Sequence, residues 1–169
     1  MACALTTGFQ IGCNDSSGGI VEFLIGSFGT LGAVTQNASG MVTTIAGSAF
    51  MYTYEAEKAT STVNEGIMVN RENGTVYYEQ TANYILNKAS QDKRNEIKII
   101  AQALMVVIAK DKNGKYWLMG QGAGVRLDAS TAAWGTALAD RNGYTLNFKA
   151  EEVDMMPEVD SSIIAALIA

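Results

Sequence analysis

Most apolar segments of the chain alternate with a period of two or run without a break over four to six residues. One segment only has a helical period. After a turn at 14–19 (NDSSGG), Ile20–Ile25 reads as a buried strand. Residues 26–40 are rich in Gly, Ser, Thr and Asn and read as loop or weak strand, and Met41–Ile45 is β-branched. Residues 49–55 (AFMYTYE) set Phe50, Tyr52 and Tyr54 on one side and Met51, Thr53 and Glu55 on the other, a strand with an aromatic face. Thr75–Asn87 is the longest strand candidate, with Val76, Tyr78, Gln80, Ala82 and Tyr84 on one face. With Ile67 and Val69 before it, it predicts a long hairpin over about 64–87. Long strands in a small domain extend past their own core, where a neighbour can cover them.

The helical period falls on about 90–104. Ser90 is a suitable N-cap and Asp92 stands in the first turn, where a carboxylate meets the helix dipole. Ile97, Ile100, Ala101 and Leu104 form the apolar stripe, and Lys93, Arg94, Asn95, Lys98 and Gln102 face water. Met105–Ala109 (MVVIA) is then a strand, Lys115–Met119 its return, and Tyr144–Phe148 a further alternating strand. The pairs Asn73-Gly74, Asn113-Gly114 and Asn142-Gly143 each precede a strand and predict two-residue hairpin turns with both residues at positive φ. Pro157 is expected to end the ordered part, leaving an acidic, extended arm over 150–169. Its apolar end (IIAALIA, 163–169) either packs as a last strand or, the favoured reading, docks on a neighbour. On that reading, removing 161–169 impairs assembly and leaves the fold intact.

Composition sharpens this picture. At 169 residues the chain has the length of one domain with a real core, and 48% hydrophobic residues is ordinary. Charged residues, at 17%, are fewer than usual, so much of the surface is cheap to desolvate. The net charge is −5 and unevenly placed. Residues 1–57 hold four acids and no base, and residues 150–169 hold five acids and no base. Residues 58–149 hold all 12 bases against eight acids. Acidic ends around a basic middle suit a head-to-tail match between copies, although chance partition of a small charge gives the same pattern as readily. An acidic protein grips nucleic acid poorly.

Candidate chemistry is sparse. The chain has no histidine, which excludes Ser-His and Cys-His nucleophile pairs. Glu151, Glu152 and the acids of 154–160 beside Pro157 read as a solvated or interface patch before they read as a site, and no EF-hand spacing is present. Gly120–Gly124 (GQGAG) reads as a flexible stretch and lacks a nucleotide-binding pattern. Tyr77, Tyr78, Tyr84, Tyr116 and Trp117 could stack a sugar or a base, and in alternating strands they are more often core or interface. Cys3 and Cys13 are too few for a disulfide framework; they read as two thiols able to close a small loop on oxidation. The start shows no basic signal-peptide region, and no run approaches the roughly 18–20 apolar residues of a membrane span. A soluble chain made in a cytoplasm is therefore expected.

The order of a long hairpin, one capped helix (SQDKRNEIKIIAQAL), a strand pair around Lys-Asn-Gly (MVVIAKDKNGKYWLMG), a Gly-rich stretch and a final DRNGYTLNFKAEE strand resembles the major tail tube proteins of tailed bacteriophages. The start, MACALTTGFQIGCNDSSGGI, is similar to tail-tube-like proteins of Bacteroidetes phages and prophages. The resemblance covers nearly the whole chain and rests on segment order, with no chemical motif. It implies a mainly β fold with one α-helix, an antiparallel β-sandwich or half-barrel with helix 90–104 packed on the sheet. It further implies rings, hexameric in this family, that stack into a tube conducting DNA without specific binding. The partners would be further copies of the chain, together with baseplate and terminator proteins and, where one is present, a sheath. It carries over no catalytic residue, cofactor or metal. The same fold occurs in the haemolysin-coregulated tube protein of type VI secretion and in contractile injection systems, so a tube or other structural subunit of such a system, or of a virion, is the alternative. A carbohydrate-binding β-sandwich and an enzyme rank below it. The candidate subunit contacts are Leu31 and Val34 in loop 26–40, Tyr77 and Tyr78 in the hairpin, and Ile163, Ile164 and Leu167 in the arm.

Overall fold

A computed structural model describes residues 7–47 and 49–169. Its strands are β1 (Ile20–Ser27), β2 (Val34–Gln36), β3 (Val42–Ile45), β4 (Met51–Glu55), β5 (Thr62–Asn70), β6 (Thr75–Asn87), β7 (Met105–Asp111), β8 (Tyr116–Met119), β9 (Arg126–Leu127), β10 (Thr131–Ala133), β11 (Gly143–Glu152) and β12 (Glu158–Val159). Its α-helices are α1 (Gln91–Gln102) and α2 (Ser161–Leu167). Seven strands form one sheet in the order β2-β3-β12-β8-β7-β1-β4. A second sheet runs β10-β11-β6-β5, with β9 also pairing β11. The fold is thus mainly β, as expected, with two packed sheets and two helices where one helix was expected.

The two sheets meet because β1 and β7 carry apolar side chains on both faces. Phe23, Ile25, Met105, Val107 and Ala109 join Ala82, Tyr84, Tyr144, Leu146 and Phe148 of the second sheet in one buried cluster. Phe23 and Tyr84 meet edge to face across the layers at 5.4 Å. The alternate positions Leu24, Val106 and Ile108 point the other way into a second cluster. That cluster also holds Val42 from β3 and Met51 from β4, near the two ends of the seven-stranded sheet, so this sheet curls. It remains open. Residues of the C-terminal tail cover the concave side.

The capped helix forms where the pattern placed it. The Ser90 side chain accepts from the Lys93 N–H, and Ile100 is buried against the first cluster with Ile97 beside it. Ala101, expected on the stripe, is exposed, while Ala103, just past the helix end, packs against the cluster. The Tyr54 hydroxyl donates to the Glu96 carboxylate at 3.0 Å and ties α1 to the edge strand β4.

The C-terminal arm departs from expectation. Pro157 does not end the ordered part: its carbonyl accepts from the Leu118 N–H, and β12 follows at once between β3 and β8. Asp160 then caps α2 by accepting from the Ser162 N–H at 2.9 Å. Ile164 and Leu167, one helical turn apart, are 5% and 2% exposed within the chain's own second cluster. After α2 the chain pairs with β4, the Ala169 N–H donating to the Met51 carbonyl. The arm is therefore a lid on the chain's own core.

The Asn-Gly pairs also act differently from the expected two-residue turns. The loop between β5 and β6 spans 71–74, and only Gly74 has positive φ. In the loop after β7, Asp111 and Lys115 face each other across three residues and only Gly114 is left-handed, a bulged hairpin. Gly143 begins β11 opposite Asn87, where a Cβ would clash with the Leu86 carbonyl oxygen. Neither residue of this third pair has positive φ. Gly120–Gly124, expected to be flexible, is a pinned turn. Gly120 N–H donates to Gln80, and Gly122 and Ala123 N–H donate to the buried Glu152 carboxylate.

Removing 161–169 is therefore expected to unfold the chain rather than spare the fold. Leu167→Ala should cost about 2–5 kcal/mol in denaturant unfolding, the range for a buried leucine whose site cannot collapse. An alkaline titration offers a second check. Burial first, then the Glu55 charge, pushes the Tyr84 hydroxyl from 10.0 to about 12, and burial and Glu96 raise Tyr54 as well. Both folded values lie above the unfolded one, so this stability is complete below pH ~10 and falls as pH rises from there towards the folded values. Unfolding midpoints measured from pH 8 to 12 should decline above ~10, and less steeply in Tyr84→Phe.

Candidate assembly surface

The second sheet holds one element longer than its support. β6 pairs with β11 only as far as Tyr78, opposite Glu152, while β5 and β6 continue together to the pair Asn70 and Thr75. Along the inward face of β6, Tyr84, Ala82 and Gln80 are buried, and burial stops there. The remaining pairs are Ile67 with Tyr78, Met68 with Tyr77, and Val69 with Val76. Directly paired residues share a face, so apolar side chains stand on both faces of this two-stranded tip with no core beneath either. Ile67 is 57% exposed, Val69 60% and Val76 50%, and Met68 and Tyr77 are also exposed. The tip itself is a tight polar turn, the Asn70 side chain accepting from the Glu72 and Asn73 N–H groups.

The outer edge of β5 is open: among the described residues no strand pairs with it. It also lacks the usual protections of an edge. Its sequence, TVNEGIMVN, has no Pro, Lys or Arg. Its one charge, Glu65, is turned to the chain's own interior, accepting from the Met156 N–H at 2.7 Å and from Gln80 Nε2 at 3.4 Å. A nine-residue strand is thus left with its backbone groups and three successive apolar side chains available to another chain.

The residues singled out from sequence divide sharply. Tyr77 lies on the tip, and Tyr78 is half-buried at its base. Leu31 and Val34 are half-buried against the second cluster, as is Ile163, while Ile164 and Leu167 are inside it. These five serve the chain's own packing, and the expected docking of the arm on a neighbour is corrected accordingly: the curled sheet needs a cover, and the arm is that cover. Ile67, Met68, Val69 and Val76 lie in the hairpin that the sequence marked as a candidate contact, yet were not singled out as contact residues. The unbroken apolar run at 67–69 opposite another apolar strand was the available signal, since a strand with one wet face should alternate.

The polar groups in the positions most suggestive of chemistry have structural partners. Trp117 Nε1 donates to the Asp111 carboxylate. Burial would raise the Asp111 carboxyl, but hydrogen bonds from Lys115, Trp117 and Asn113 outweigh it and hold the group below the usual carboxylate value. The backbone amides of Gly122 and Ala123, which in a phosphate-binding loop would face a ligand, face Glu152. Among the described residues no group of three or more Cys, Asp or Glu side chains is placed to hold a metal ion, and no helix is long and apolar enough to cross a membrane. Cys13 is exposed; Cys3, its expected loop partner, lies outside the described residues. No protein family, curated protein or solved structure matches the chain.

Because the tip supports nothing beneath it, Ile67→Ser, Val69→Ser and Val76→Ser should each change thermal stability by less than about 1 kcal/mol. Tyr84→Ala, eight residues along β6 from Val76, should cost about 3–5 kcal/mol in the same measurement.

Proposed function

We propose that this chain is a self-assembling structural subunit of a tube, of the type that forms the tail tube of tailed bacteriophages. The carrying observation is the β5–β6 overhang, which joins an unprotected nine-residue edge to exposed apolar side chains on both faces. Such a surface is an association site in any soluble setting, because an added strand satisfies the edge and a neighbour's surface removes the apolar area from water. The order of elements read from the sequence supports a tail tube in particular, and the two-sheet β architecture with a capped helix suits it. The net charge of −5 suits the wall of a channel for DNA, which must repel phosphate mildly and hold it nowhere. On this reading the chain acts through surfaces, its partners are copies of itself and the proteins at the tube's ends, and its place is the virion tail. A tube of a contractile injection system would use the same contacts.

Negative-stain electron microscopy of the concentrated protein, with its mass in solution, tests the proposal. Rings or stacked tubes about 10 nm across are expected, the scale of six domains of this size around a pore. The triple substitution Ile67→Ser, Val69→Ser and Val76→Ser should abolish them in a folded protein. A wild-type chain that stays monomeric at every concentration would overturn the reading.

A further inference from the structure

We propose that the groove between α1 and β10 receives the acidic, apolar bend 153–155 of a second copy, so that subunits join head to tail. The proposal rests on the self-assembling reading above and names one of its contacts. The groove is a cavity of about 320 Å³ beside α1, with Ile97 and Leu127 among its apolar lining. Arg94 and Lys98 stand on its α1 side and Trp134 on the other, the Arg94 guanidinium lying 5.8 Å from the indole ring. No acidic residue lines it, and among the described residues neither cation forms an ion pair. Tyr144 also lines it, is 4% exposed, and has a buried hydroxyl with no hydrogen-bond partner. An apolar floor, two unpaired cations and an orphaned hydroxyl fit a ligand that brings a carboxylate on an apolar body.

The chain itself presents that chemistry elsewhere. Val153, Asp154 and Met155 are all exposed, Val153 at 78%, in a bend that has no basic residue. The bend is already fixed: the Asp154 carbonyl accepts from Gln80 Nε2, and the Met156 N–H donates to Glu65. Little ordering remains to be done on docking.

The two surfaces cannot meet within one chain. Tyr144 is the second residue of β11 and the bend follows its last residue, Glu152, so the strand holds them about 30 Å apart. Complementary patches at opposite ends of one strand make a heterologous contact, which repeats from copy to copy. The hairpin tip projects past Glu152 at the same end as the bend, so the same approach brings it to the next subunit.

Full-length chains with Cys3→Ser and Cys13→Ser carry either Val153→Cys or Thr131→Cys, Thr131 lining the groove; they are mixed under mild oxidation. A mixed disulfide dimer is expected. Arg94→Glu with Lys98→Glu in the Thr131→Cys chain should lower its yield about tenfold. Asp154→Arg in the Val153→Cys chain should then restore it, and circular dichroism checks that each variant is folded. A chain with Phe9→Cys tests the other exposed apolar segment as occupant. Cross-linking from residue 9 in place of 153, or rings that form with no 153–131 link, would overturn the groove contact and leave the tube reading standing. A 153–131 link without rings or tubes supports the groove contact and counts against the tube. No link and no assembly at any concentration removes both.

Discussion

The pairing of β1 with β7 is the constraint on which the rest of the molecule depends. Both strands are apolar on both faces, so the pair cannot lie at a surface. One face demands the second sheet and α1; the other demands a cover that residues 28–51 supply only in part. The last residues complete it, β12 entering beside β8 and α2 sealing the curl over Leu24, Val106 and Ile108. Two cores back to back on one pair of strands explain why so small a chain needs both termini of its seven-stranded sheet drawn in.

The same economy leaves one element over. β11 supports β6 for ten residues and stops at Glu152, where the chain must turn to reach β12. β6 continues without it and carries β5 along. A polar strand pair would extend into water at no cost, but Ile67, Met68 and Val69 opposite Val76, Tyr77 and Tyr78 would not. With Glu65 used inside, nothing on β5 discourages a partner. The buried Gln80 and Glu152 and the half-buried Glu65 are pins that hold the Gly-rich turn and the strap at 153–156 in register, so the base of the overhang is pinned while its tip is unsupported.

Much of the fold was legible in the sequence where a local period or cap decided it. Ser90 and the Ile97–Ile100 spacing marked α1, and the alternation from Val76 to Tyr84 marked β6. What was not legible turned on tertiary demand. IIAALIA has strand-like residues, yet Asp160 as cap and the turn-spaced Ile164 and Leu167 match the curl of a sheet that sequence alone does not reveal. Gly143 follows an Asn, as in a turn, but is fixed by the close approach of Leu86. The candidate contacts suffered for the same reason. Leu31, Val34, Ile163, Ile164 and Leu167 are apolar residues in segments that looked like loop and arm, and only the second core shows where they belong. That Tyr77 stands exposed on an overhang was legible because strand length is a sequence property, and a strand longer than its support is an overhang in any fold.

Hydrogen exchange along β5 and the tip, measured as a function of protein concentration, tests the central claim most directly. If a second copy covers the overhang, amides of 66–77 exchange fast in dilute protein and slow markedly once it assembles, while those of β7 stay protected throughout. Assembled protein whose 66–77 amides still exchange as fast as in the monomer would contradict the account.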